Sequence, residues 1–184
     1  MSYSSVQALL KTGVSRPTMY QVIIPRIGDA ANRQIELLCK ATRVPEMSVT
    51  TINANGQDAQ GVVRQSPAHM TFSQPFSCTI ISDREYTVYK AVKEWMSSIT
   101  TNGNPFSGGA AAAQKAEYYD SIKETITLIK LENNGGGRMM SPFRINFNNA
   151  YPVRMGELSL GSDQYNTFME FQVDFYYETY TFVG

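Results

Sequence analysis

The C-terminal stretch Thr167–Tyr180 restricts the fold more than any other part of the chain. Met169, Phe171, Val173, Phe175 and Tyr177 take alternate positions, with Glu170, Gln172, Asp174, Tyr176 and Glu178 between them. A period of two puts the first set on one face of a long strand and the second on the other. A strand with such a row of large apolar side chains must bury it against another layer, and together with the further strands of the chain this points to a β-sandwich or barrel. The same alternation recurs. Tyr20, Val22 and Ile24 oppose Met19, Gln21 and Ile23, and a turn at Gly28–Asn32 follows. In Gln34–Ala41, Ile35, Leu37, Cys39 and Ala41 point inward while Gln34, Glu36 and Lys40 point outward. Phe143, Ile145 and Phe147 share a face, and Phe76–Ile81, Ile122–Leu131 and Val153–Leu160 read as further extended segments.

Helical spacing is confined to two places. Ser82-Asp83-Arg84-Glu85 matches a capping box, with Ser82 as N-cap and Glu85 at the third position. Tyr86, Tyr89, Val92, Trp95, Met96 and Ile99 follow at helical spacing, and Asn102-Gly103 with Pro105 ends the helix. Its aromatic stripe is a core face packed on a sheet, not a cofactor box. Ser4 and Ser5 before Val6, Leu9 and Leu10, with Gly13 beyond, predict a short N-terminal helix. The sequence is therefore read as one domain over residues 1–184, mainly β (α+β), with a surface insertion over 103–118 around the low-complexity run Gly108–Ala116. Asn133–Gly137 reads as a glycine hairpin turn.

Residues 48–72 are extended in character but poor in large apolar side chains, and turn residues gather near Asn55–Gly61. They predict a long protruding hairpin with no apolar face for its own domain to cover. An arm of about 9 residues spans about 30 Å, against a radius of gyration of about 16 Å for the globular part. An isolated two-stranded ribbon is marginal in water, so a neighbouring copy is the simplest support. Asn53, Asn55, Gly56, Asp58, Gly61 and Arg64 are the residues expected to carry this polymerisation role.

Chemistry is sparse. Lys+Arg 16 balance Asp+Glu 16, so no surplus of cations exists to displace counterions from phosphates. A chain with 42% hydrophobic and 11% aromatic residues is not disordered. The apolar runs are too short to span a membrane, and the start has neither the basic nor the apolar region of a secretory signal. His69 is the only histidine, so no multi-histidine metal site can form. Cys39 and Cys78 lack a CxxC spacing and read as two buried thiols of a reducing compartment, with a disulfide between neighbouring strands as an alternative that needs close Cα atoms. Gly135, Gly136, Gly137 and Arg138 do not continue into a phosphate-binding motif. No cofactor and no catalysis are expected. Zero net charge lets copies associate without long-range repulsion.

Three segments in order resemble a known family. Arg16-Pro17-Thr18-Met19-Tyr20-Gln21-Val22 is similar to its first strand, R-P-x-[LM]-[FY]-Q-V. Leu38-Cys39-Lys40-Ala41-Thr42-Arg43-Val44-Pro45 is similar to its C-K-A-T-x-[LV]-P strand and turn. Tyr151-Pro152-Val153-Arg154-Met155-Gly156-Glu157-Leu158-Ser159-Leu160 is similar to its aromatic-P-x-x-[VM]-G-E-L-x-L segment. The family is the tail tube protein of T-even-type contractile-tailed phages. The insertion, the glycine turn and the residues beyond Glu178 depart from it.

The resemblance implies hexameric rings with a shared β-barrel, stacked into a hollow tube inside a contractile sheath. It implies sheath, baseplate and tail terminator proteins as partners, genomic DNA passing through the lumen unbound, and a place in the virion after assembly in the host cytoplasm. Glu170 and Asp174 are expected to line the lumen or a subunit seam. Two alternatives stay open: a tube-like ring or tube initiator of a related injection system (type VI secretion or bacteriocin), and a ligand-binding β-barrel.

Overall fold

The structure, a computed structural model, describes residues 17–28, 35, 38–53, 65–101, 115–116, 118–133, 139–161 and 168–183. The strands are β1 (Tyr20–Ile23), β2 (Cys39–Thr42), β3 (Met47–Asn53), β4 (Gln65–Phe72), β5 (Phe76–Ile81), β6 (Thr100–Thr101), β7 (Lys115–Ala116), β8 (Glu124–Asn133), β9 (Met139–Met155), β10 (Glu170–Tyr176) and β11 (Thr179–Val183). The helices are α1 (Thr87–Ile99) and the single turn α2 (Tyr119–Ile122), with a 3-10 turn at Pro25–Ile27.

Seven strands are linked in the order β1-β8-β9-β10-β5-β2, with β11 on β9. They form two antiparallel layers that share β9. Its first half pairs with β8 and β11, and its second half with β10. The crossing falls at Asn149, whose φ of 55° turns the strand from one layer to the other; asparagine tolerates this left-handed backbone better than most residues. The ends of the strand order also meet, because the Tyr20 hydroxyl donates to the Cys39 carbonyl at 2.8 Å. The result is a sandwich on the way to a barrel.

Between the layers lie Val22, Ile24, Phe76, Ile80, Ile126, Ile145, Phe147, Val173, Phe175 and Tyr177, all fully buried. Phe76 stacks on Phe147 at 4.1 Å between ring centroids, and each such buried ring contributes about 1.5–3 kcal/mol through burial alone. Helix α1 covers the open side with Val88, Val92 and Trp95, spaced four and three apart on one face. Tyr89 meets Phe171 edge-on, and the Trp95 indole N–H donates to the Ile122 carbonyl at 3.0 Å.

Several sequence expectations are corrected here. The C-terminal alternation is not one strand: it breaks at Tyr177–Glu178, so β10 and β11 join different layers. Val153 is not the start of a separate segment but lies in the continuous β9, and 156–160 carry no strand. Ile35 is buried as expected, yet it and Leu38 are helical and the strand starts only at Cys39. Ala41 is exposed, because a bulge between Cys39 and Ala41 reverses the alternation. The capping box does not form. The Thr87 amide and hydroxyl donate to the Asp83 carboxylate at 2.8 and 2.9 Å, while the Ser82 hydroxyl only donates to the Asp83 carbonyl. Tyr86 precedes the helix with φ 57° and is not part of its stripe. The N-terminal helix, the glycine turn and most of the insertion lie outside the described residues.

Candidate assembly surfaces

The arm leaves the barrel as a continuation of its own strands. β2 and β5 pair antiparallel, and the chain between them forms the β3–β4 hairpin, with Met47 opposite Phe72 and Asn53 opposite Gln65. Every residue of β3 is exposed. A bulge in β4 falls between the Thr50–His69 and Thr51–Pro67 pairs. On the barrel side of it the two faces differ. Ser48, Thr50, His69 and Thr71 make the polar face, where the Ser48 and Thr71 hydroxyls bond at 2.8 Å. Met47, Val49, Met70 and Phe72 make an apolar face, with the first three 49%, 52% and 52% exposed. The base of the arm thus carries an apolar face, of which its own domain covers mainly Phe72, packed against Tyr180. The alternation of Met47 with Val49 and of Met70 with Phe72 was the available signal.

The root of the arm is fixed to the barrel by Tyr177, which the sequence marked only as an apolar-face residue, and by Tyr180, which it did not single out. The Tyr180 hydroxyl donates to the Pro45 carbonyl at 3.2 Å, and its ring meets Phe72 edge-on at 5.0 Å. The Tyr177 hydroxyl donates to the Ser73 carbonyl, and the Gln74 amide donates to the Tyr177 carbonyl. The Ser73 amide closes the root on the Glu46 carbonyl at 2.8 Å.

The second surface is the outer face of the layer β2-β5-β10-β9. Cross-strand partners share a face, so Arg154, Asp174 and Ser77 form one row across it, as their register dictates. Lys40 and Glu170 meet at 2.6 Å, with side chains 55% and 33% exposed. Asp174, in the same row as Arg154 and Ser77, is largely covered. It is 5% exposed and accepts from the Ser77 hydroxyl at 2.7 Å and the Gln172 amide at 2.6 Å. Open grooves of about 520 and 680 Å3 run on either side of Gln172 and Thr79. At one end of the face Tyr151 packs on Tyr176, and Tyr119 on Tyr151.

The motif residues fall into structural places. Pro17 is exposed ahead of β1, and Pro152 is buried within β9. Gly156 donates its amide to the Gln172 carbonyl at 2.6 Å, Glu157 is exposed, and Leu158 packs on the core. Asn53 ends β3. Arg16, Asn55, Gly56, Asp58, Gly61 and Arg64 lie outside the described residues. Among the described residues no three His, Cys, Asp or Glu side chains gather as metal ligands, and no helix is long and apolar enough to cross a membrane.

A packed barrel whose distinctive features are strand edges, a charge-paired polar face and a half-apolar arm defines a structural protein built to join others. Comparison with family models identifies which kind. The phage tail tube protein family matches residues 8–183, and the chain belongs to that family: it is a structural subunit of the tail tube. The fold agrees. The sheath/tube terminator of an extracellular contractile injection system (PVC, extended state) aligns with TM-score 0.58 at 14% identity, over 93% of this chain and 97% of that one. The tube-terminating cap of the anti-feeding prophage aligns with TM-score 0.58 at 14% identity, over 92% and 91%. A chain of the PVC sheath–tube complex aligns with TM-score 0.55 at 15% identity, over 100% and 98%. A comparison with curated proteins gives no match.

Proposed function

We propose that copies of this chain close edge to edge into rings, six to a ring as the family resemblance implies, and that the rings stack into the tube. The whole chain acts as one tube domain. The layer β2-β5-β10-β9 carries this reading: one face packs the core, the other is polar, and β2 and the Tyr151–Met155 half of β9 end it on either side. Adding the first edge of one copy to the last edge of the next joins the layers into a common barrel and removes unpaired strand edges. The outer face then lines the lumen, with Glu170 and Asp174 on it, and the arm reaches the next copy or ring.

DNA passes along this lumen on ejection. Lys40 is paired with Glu170, and Arg154 shares the face with the Asp174 carboxylate in register with it, so the face carries little net positive charge to hold phosphates. The sheath surrounds the outside, and baseplate and terminator proteins close the ends. The names of the similar solved structures, a sheath–tube complex and two tube terminators, support such partners. Assembly takes place in the host cytoplasm, without cofactor or catalysis.

Electron microscopy of the purified protein across a concentration series tests this reading. Long stacked tubes are the expected outcome. Single rings that never stack would assign the chain to a terminator or initiator, and a monomer at every concentration would leave a ligand-binding barrel as the better account.

A further inference from the structure

The two cysteines have no part in the assembly reading, yet the fold brings them together at the root of the arm. Cys39 stands on β2 opposite Ile80, and Cys78 stands on β5 two residues away from Ile80. Residues two apart on a strand share a face, so both thiols lie on the same side of the β2–β5 ladder as diagonal neighbours. The Cys39 thiol donates to the Ala41 carbonyl at 3.8 Å, and Cys78 contacts the Thr42 hydroxyl at 3.7 Å. The segment between them contains the entire β3–β4 arm. Cys39 is half-buried and Cys78 fully buried.

We infer that Cys39 and Cys78 form a redox clamp, closing into an intrachain disulfide across the arm's root when the protein meets a low-molecular-weight disulfide. The two thiols are suited to opposite parts. The neighbouring Cys78 thiol holds the Cys39 thiol below its ordinary range, against the opposing effect of burial. The same partnership and full burial push Cys78 up. Cys39 is therefore the attacking group, since the thiolate is the nucleophile. Its sulfur displaces one glutathione thiolate from oxidised glutathione, leaving a mixed disulfide on Cys39. Cys78 then loses its proton and attacks the Cys39 sulfur, expelling the second glutathione. Two protein thiols are oxidised and one glutathione disulfide is reduced to two thiols.

Geometry permits the step with a small adjustment. Diagonal neighbours on a ladder stand about 7–8 Å apart at Cα, and a disulfide usually holds its Cα atoms about 5.5–6 Å apart, so the strands must approach by about 2 Å. β2 can supply this movement, because it is short, terminal in the strand order and bulged next to Cys39.

The test uses the full-length chain in oxidised and in reduced glutathione, followed by alkylation under denaturing conditions and intact-mass and peptide analysis. The expected oxidised product is a monomer with no alkylated thiol and one bridge between the Cys39 and Cys78 peptides. Its thermal midpoint exceeds that of the dithiothreitol-reduced chain by about 10 °C, since the bridge closes a long loop in the unfolded state. Glutathione retained on Cys39 with Cys78 alkylated would overturn the clamp, as would two free thiols after oxidation. Cys39→Ser separates the roles: under the proposal Cys78 then stays a free thiol in oxidised glutathione, whereas its ready modification would overturn the assignment of Cys39 as the attacking group.

Discussion

Gly156 shows at the level of one residue how the family's G-E-L segment works. Its amide donates to the Gln172 carbonyl at 2.6 Å, where the chain leaves β9 and passes over β10. A Cβ at this position would stand 3.1 Å from both the amide nitrogen and the carbonyl oxygen of Gln172. Those atoms cannot retreat, because Gln172 lies in a central strand paired on its other side with Thr79 of β5. The residue is glycine for closeness of approach, not for an unusual φ. Gly156→Ala is expected to cost about 1–3 kcal/mol, the usual cost of overpacking. The measurement is urea unfolding, with a lower midpoint and an unchanged slope. A midpoint equal to that of the parent chain would mean that the segment lifts away freely and that the contact does not hold it.

Among the elements, the arm separates stability from assembly. Its residues contribute little to the barrel core: β3 is exposed throughout, and the root is held by Tyr177 and Tyr180 from the barrel side. Deleting Asn53–Gln65 is therefore expected to leave a soluble chain with near-parental thermal stability that no longer builds long tubes in electron micrographs. Normal tubes from this deletion would remove the arm from the assembly reading. The existence of the arm was legible from its lack of large apolar residues, and the core strands from their alternation. What the alternation could not reveal were the places where chains change layer or register. Tyr177 continues the apolar series of Phe171, Val173 and Phe175 without a break, so nothing in the pattern marks the crossing from β10 to β11. The bulge beside Cys39 likewise leaves no mark, because Ala41 suits an inward or an outward position equally. The capping box misled for a related reason: Ser82 and Asp83 are both good caps, and only the backbone of Tyr86 decides that Asp83 receives the first helical N–H. Asp174 escaped because its partners, Ser77 and Gln172, are a neighbouring strand's residue and its own strand's next outward residue. Spacing along one strand says nothing about what stands across from it.

For the whole molecule, net neutrality matters less than where the balanced charges sit. Under the proposed ring, each copy presents Lys40 and Glu170 to the lumen as a contact pair at 2.6 Å. An exposed pair of this kind adds little stability, about 0–1 kcal/mol. Its larger effect is to occupy a cation that would otherwise face the phosphates. Glu170→Gln removes the carboxylate and leaves Lys40 unneutralised, a gain of one positive charge per subunit repeated around every ring. Asp174→Asn keeps hydrogen-bonding capacity toward Ser77 while removing the negative charge that stands in register with Arg154 across the ladder. The double variant is expected to form rings and tubes, because neither residue packs in the core between the layers. It is expected to eject DNA more slowly, as each newly available cation adds counterion-release affinity. The slowing should fade as salt is raised, since the attraction is screened and the released counterions return to a more concentrated solution. Ejection followed by the fluorescence of an intercalating dye, at two salt concentrations, measures both effects. Parental kinetics at low salt would place these carboxylates away from the channel, whereas slowing that salt does not relieve would point to a distorted tube instead of an adhesive one.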